Sequence, residues 1–185
     1  LSGRAIHADL ELLAGAGLLA ATVSAQTPLK SALHDYRVVT VVDAWVQPWS
    51  MTFLPGGDAL ITERPGRLRI LRAGKLLPQP VEGVPAVLYA GQGGLLEVAA
   101  HPNLAANRML YLTYSKPGAD GKEATTALIR GRFENDRLSN VQQLFESVSK
   151  GRGHYGGKIA FDRDGFLAQQ VRSETGIGAS SASGH

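Results

Sequence analysis

The chain has 185 residues, 44% of them hydrophobic and 19% charged, with a formal net charge of +3. That length fits about one domain, and the balance is that of a globular protein rather than a disordered one. The cationic residues are dispersed, so nucleic-acid binding is not called for, and the absence of cysteine excludes disulfides, thiolate zinc sites and a cysteine nucleophile.

The first predicted element is LELLAGAGLLAATVSAQ at 10–26, with an apolar core from Leu12 to Val23 and small residues at Val23 and Ala25. This pattern predicts a secretory leader over residues 1–25, cut after Ala25, and a periplasmic or secreted mature chain. The core is shorter than the ~20 apolar residues that span a bilayer. Asp9 and Glu11 stand where a basic flank is expected, and an amphipathic helix packed on the domain is the alternative.

Short strands separated by turns follow. YRVVTVVDAW (36–45) is β-branched and predicts a strand; WSMTFL (49–54), ALITER (59–64) and LRILR (68–72) come next, then a proline-interrupted edge, LLPQPVEG (76–83). The series then restarts with GLLEVAAH (94–101), MLYLTYS (109–115), TTALIRGRFE (125–134) and NVQQLFES (140–147). A third round opens at GKIAFD (157–162), and no segment over 36–167 keeps a helical period. A repeated four-strand meander is the mark of a β-propeller, whose first strands line a central channel. Gln92 and His154 each stand just before such a first strand, so both belong at the channel mouth. The spacing alone also suits a β-sandwich.

Three phrases, PWSMTFLPGGDALITERPGRLRIL, GQGGLLEVAAHPNLAANRMLYLTYS and GHYGGKIAFDRDGFL, occur in order between about Tyr36 and Leu167. They resemble the soluble aldose sugar dehydrogenases that depend on pyrroloquinoline quinone (PQQ), close to soluble glucose dehydrogenase. The resemblance implies an all-β fold, the six-bladed β-propeller, of which two blades and the start of a third are present over residues 26–167. It implies an exported enzyme that oxidises aldoses at the anomeric carbon to lactones and passes the electrons to an acceptor, with PQQ as cofactor and Ca2+ helping to hold it. His154 matches the catalytic base and Gln92 matches a polar residue of the sugar site. Where the family has Arg at the end of the histidine motif, this chain has Lys158, which keeps the charge but loses the bidentate fork; it is not assigned to the cofactor. The resemblance stops after Leu167, and AQQVRSETGIGASSASGH (168–185) predicts a disordered tail. The family's quinone and calcium contacts fall in later blades, so no cofactor-binding residue or metal ligand is assigned, and the chain as given is expected to be inactive. The partners implied are an aldose and an unidentified electron acceptor, with neither nucleic acid nor membrane insertion after leader cleavage.

Each residue has a plainer reading beside this one. His154 could sit in a solvated glycine-rich turn, although Gly151, Gly153, Gly156 and Gly157 would also clear room for a flat ligand. Gln92 could bond only backbone rather than a sugar hydroxyl. His101 is expected to cap a turn before Pro102, DRDG (162–165) to be a hairpin turn with too few oxygen ligands for calcium, Trp45 and Trp49 to pack between blades, and Arg67, Arg69 and Arg72 to form a solvated strand face. Two further functions stand as alternatives: a non-catalytic propeller that binds a carbohydrate or protein, and a calcium-dependent lactonase, for which the visible blades offer no carboxylate set.

Overall fold

The structure, a computed structural model, describes residues 28–151, 153–173 and 176–182. The leader assigned to residues 1–25 lies outside them. The chain divides into two compact units, Leu1–Val39 and Thr40–His185. In the first, two-residue strands β1 (Leu29–Lys30) and β2 (Asp35–Tyr36) pair antiparallel. The Ser31 hydroxyl closes their turn, donating to the His34 carbonyl at 2.6 Å and accepting from the His34 N–H at 3.0 Å. The strand expected over 36–45 does not form beyond Tyr36. Val38, Val39 and Val41 remain 60%, 69% and 60% exposed. Strand preference reflects packing on a pleated surface, and these valines have none to pack on.

The second unit carries the repeats. The first blade runs β3 (Pro48–Phe53), β4 (Ala59–Glu63), β5 (Arg67–Arg72) and β6 (Lys75–Leu76), each paired antiparallel to the next. The second runs β7 (Leu95–Ala100), a single helical turn α1 (Leu104–Asn107), β8 (Met109–Pro117), β9 (Ala124–Glu134) and β10 (Arg137–Glu146), again a meander. The third sheet comprises β11 (Ile159–Phe161), β12 (Leu167–Ser173) and β13 (Gly176–Ala182). The two meanders and the opening of a third are the blades expected from the repeats. His101 also behaves as expected: its Nδ1 accepts the Asn103 N–H at 2.9 Å and caps the turn into α1.

The core lies between blades. Along β8, Leu110, Leu112 and Tyr114 join Leu60, Leu68 and Ile70 of the first blade, while Tyr111 joins Ile159 and Leu167 of the third. Side chains alternate across a strand, so a blade covered on both faces buries every position and loses its polar-out pattern.

The blades are also stitched by one repeated device. The first strands β3 and β7 each contain a register shift, between Pro48 and Met51 and between Leu95 and Val98. At each, a displaced N–H finds a threonine of the second strand: Ser50 donates to Thr62 Oγ1 at 3.0 Å and Glu97 to Thr113 Oγ1 at 3.1 Å. Each hydroxyl then donates onward to the next blade's first-strand segment, Thr62 to the Leu96 carbonyl at 2.6 Å and Thr113 to the Gly157 carbonyl at 2.8 Å. A bulge frees backbone groups, and burying them without partners is costly. The threonine satisfies the freed group and ties two sheets together.

The third sheet departs from expectation. Residues 168–173 and 176–182 are strand, where an unstructured tail was predicted. Ladder bonds use only backbone, so a polar sequence can still pair. The side-chain misfit shows at Gln169, which is buried with neither Oε1 nor Nε2 hydrogen-bonded. Its neighbour on the same face, Leu167, lies in the core. Gln169→Val should therefore stabilise this chain by about 1–3 kcal/mol, the cost of an unsatisfied buried polar group. Urea melts of the two proteins measure it, and an equal or lower midpoint for the variant would refute it.

Candidate active site

The loops that precede first strands β7 and β11 lie at one end of the blades. The segment ahead of β11 is anchored residue by residue. Gly151 and Ala124 exchange backbone hydrogen bonds at 3.0 Å, and the Tyr155 hydroxyl donates to the Gly151 carbonyl at 2.8 Å. Thr126 Oγ1 donates to the Tyr155 carbonyl at 2.5 Å. Gly157 has φ +110°, and a Cβ there would come within 2.8 Å of Thr113 Oγ1. Only glycine lets the segment pass so close to the second blade.

Between these anchors His154 takes φ 57°, a left-handed conformation uncommon for a residue with a side chain. Its N–H donates to Gln92 Oε1 at 2.9 Å, across 62 residues of sequence. Both predicted site residues thus meet, and both line one cleft of about 490 Å3 together with Trp49, Arg64, Leu96, Tyr155, Gly156 and Gln170. Among the described residues no group hydrogen-bonds the imidazole, and the bond to Gln92 fixes the backbone from which it projects. Gln92 bonds backbone, as the plainer reading had it, but the backbone is that of His154. Its carboxamide nitrogen, with two donors, is the end left for a ligand.

Arg64 was not singled out from the sequence. It follows β4, at the strand end where the next blade begins, and its guanidinium reaches the loop that carries Gln92. Nε and Nη2 donate to the Gly93 carbonyl at 3.2 and 2.7 Å, and Nη2 also donates to the Gly91 carbonyl. Its charge lies 5.7 Å from the Trp49 ring centroid and 5.5 Å from that of Tyr89, within cation–π range. No carboxylate pairs with it among the described residues. The signal that could have found it is topological: the second strand ends where the next first strand begins.

Two expectations need correction. Trp49 is 53% exposed on the cleft rather than packed between blades; it shares a face of β3 with the exposed Met51 and Phe53, against which no sheet lies among the described residues. The arginine stripe is a solvated face only in part: Arg72 is exposed and Arg67 half-exposed. Arg69 is buried, with Nη1 3.4 Å from Glu63 Oε2 and Nη2 donating to the Leu77 carbonyl at 2.9 Å. Arg67 Nε donates to the same carboxylate at 2.6 Å, and Arg72 bridges Asp58 and Asp136 of successive blades. A buried Glu63 draws Arg69 inward and ties down the half-exposed Arg67, since a buried carboxylate must be paired. Lys158, left without a cofactor role, pairs with Glu97 of β7 at 2.7 Å.

Residues 45–175 match the Glucose / Sorbosone dehydrogenase family. The aldose sugar dehydrogenase YliI of Escherichia coli is 40% identical over 136 residues, which cover 71% of this chain and 36% of that enzyme. A solved glucose dehydrogenase superposes with a TM-score of 0.68 at 45% identity, covering 72% of this chain and 40% of that one. The PQQ-bound aldose sugar dehydrogenase of Streptomyces coelicolor superposes with a TM-score of 0.63 at 27% identity, with the same shares covered. The chain thus spans about two fifths of the length of these proteins. With its repeated blades and the match over residues 45–175, it belongs to the glucose/sorbosone dehydrogenase family.

Proposed function

We propose that the polypeptide to which this chain belongs is an exported, PQQ-dependent dehydrogenase that oxidises aldoses at the anomeric carbon to lactones, with His154 as general base. The observation that carries this is the meeting of His154 and Gln92, from two blades, on a cleft large enough for a ligand. Export rests on the leader pattern at residues 10–26; among the described residues no helix is long and apolar enough to cross a membrane.

The residues present suit part of the cofactor's chemistry. Arg64 sets a cation without a carboxylate partner beside an exposed indole, an environment that favours a flat anionic ring. Among the described residues no three His, Cys, Asp or Glu side chains gather as a metal site, and no step here runs through calcium. The quinone, when bound, supplies the two-electron acceptor for the hydride that leaves the anomeric carbon.

His154 takes the proton of the anomeric hydroxyl. An unperturbed imidazole titrates near neutral pH, so it can be both neutral and basic enough for this transfer. Gln92 donates its carboxamide N–H groups to a sugar hydroxyl while its oxygen holds the His154 backbone. One side chain would thus position both base and substrate.

The test is to load the complete gene product with PQQ and calcium and supply glucose with a dye acceptor. The expected result is dye reduction matched by lactone formation, and none with sorbitol, which lacks an anomeric carbon. A protein that binds glucose by calorimetry but reduces no dye would overturn the dehydrogenase reading in favour of a binding propeller.

A further inference from the structure

We infer that Arg64 is a positioning residue for the active site: its guanidinium fixes the Gly91–Gly93 loop so that Gln92 can hold the His154 backbone. The inference rests on reading the cleft as the site of aldose oxidation. Its hydrogen bonds bracket Gln92, with one accepted by the Gly91 carbonyl just before it and two by the Gly93 carbonyl just after. These contacts pin the Gly91–Gln92 peptide plane and the Gly93–Gly94 plane, and the Gly93 N–H, donating to the Ala90 carbonyl at 2.8 Å, holds the plane between them.

Arg64 is itself held firmly. Its backbone N–H donates to the Gln47 carbonyl at 3.0 Å and its carbonyl accepts from the Leu95 N–H at 3.0 Å. The far side of the loop is anchored separately, where Ser115 Oγ accepts the Gly94 N–H at 2.7 Å and donates to the Leu88 carbonyl at 2.7 Å. The loop therefore sits between a blade-one arginine and a blade-two serine. Its output is the 2.9 Å bond from the His154 N–H to Gln92 Oε1, which supports a residue in left-handed conformation. Because nothing described bonds the imidazole, this backbone bond is the polar contact that fixes where the side chain of the base leaves the chain.

A planar fork with donors at Nε and Nη2 suits two neighbouring carbonyls. A lysine keeps the charge and most of the stem but presents one ammonium, which cannot reproduce that fork. A displacement of ~1 Å at a reacting group can cost on the order of 10²-fold in rate.

The test uses the complete protein, labelled with 15N-histidine, and follows hydrogen exchange at the His154 amide alongside aldose turnover. Arg64→Met and Gln92→Ala should each speed His154 exchange about tenfold, and the double variant should add little to either, because both break one chain of contacts. Arg64→Met should also lower turnover by roughly 10- to 100-fold, with Arg64→Lys intermediate in both readouts. An arginine that merely stabilised the blade would lower the melting temperature without selecting the His154 amide. If Gln92→Ala speeds exchange and Arg64→Met does not, the inference is overturned. Should Arg64→Met fail to fold, Arg64→Lys decides on the same criterion. A wild type without aldose turnover would defeat the dehydrogenase reading alone, since the exchange measurement still decides the link from Arg64 to His154.

Discussion

Replacing His154 with Ala is expected to lower aldose turnover by about 10²–10⁴-fold, the usual contribution of a positioned general base, with little loss of stability. The imidazole is exposed and has no hydrogen-bond partner among the described residues, so its removal leaves no buried group unsatisfied. The complication is the backbone. At φ 57° any residue with a Cβ, His included, pays a left-handed penalty, so only the extra cost to Ala, which visits this region less readily than His, could be mistaken for a catalytic effect. Asn adopts this region far more readily than most residues. His154→Asn therefore separates the two causes, since it keeps the conformation and the N–H bond to Gln92 but cannot act as a base. The expected order is wild type far above both variants, with Asn no better than Ala in turnover and closer to wild type in thermal stability. If either variant keeps wild-type turnover, His154 is not the base. If Asn restores activity that Ala loses, the position matters only for its backbone.

The strand order was legible because each blade restarts the same series, and the pairing of Gln92 with His154 followed from one topological rule. Both residues precede a first strand, and first strands of successive blades are neighbours. What stayed hidden has a common cause. Thr62 and Thr113 look like ordinary strand residues, because nothing local marks the bulge whose N–H they receive. The reach of Arg64 to the Gly91 and Gly93 carbonyls depends on how two blades stack, which no window of sequence contains. The arginine stripe misled for the converse reason: alternation identified a strand in β5, but the buried Glu63 beside it decided which way Arg69 turned. The valines at 38, 39 and 41 carry strong strand preference and make no strand, since preference needs a partner. Local pattern thus carried the elements, and contact between blades carried the chemistry.

At Gly94 that contact is exposed to a single methyl group. Here φ is +138°, outside the range of ordinary L-residues, and a Cβ would lie 2.1 Å from the Arg64 carbonyl oxygen. The obstacle is backbone rather than a movable side chain, and that same carbonyl accepts the Leu95 N–H at 3.0 Å. Neither side can yield without opening the junction between the first two blades. On the other side, the Gly94 N–H is held by Ser115 Oγ at 2.7 Å. Gly94→Ala should therefore destabilise the protein by at least about 3 kcal/mol, combining backbone strain with overpacking of a close contact. The displaced loop should also carry Gln92 away from the His154 N–H. Gly56→Ala is the matched control, because its φ of +100° is similarly strained while nothing lies within 4 Å of the added methyl. Strain alone would destabilise both variants equally and leave turnover intact in the folded fraction. Close approach predicts a lower denaturation midpoint for Gly94→Ala than for Gly56→Ala, and a loss of aldose turnover confined to Gly94→Ala. Equal midpoints and equal turnover would show that the two blades do not meet as tightly as this junction requires.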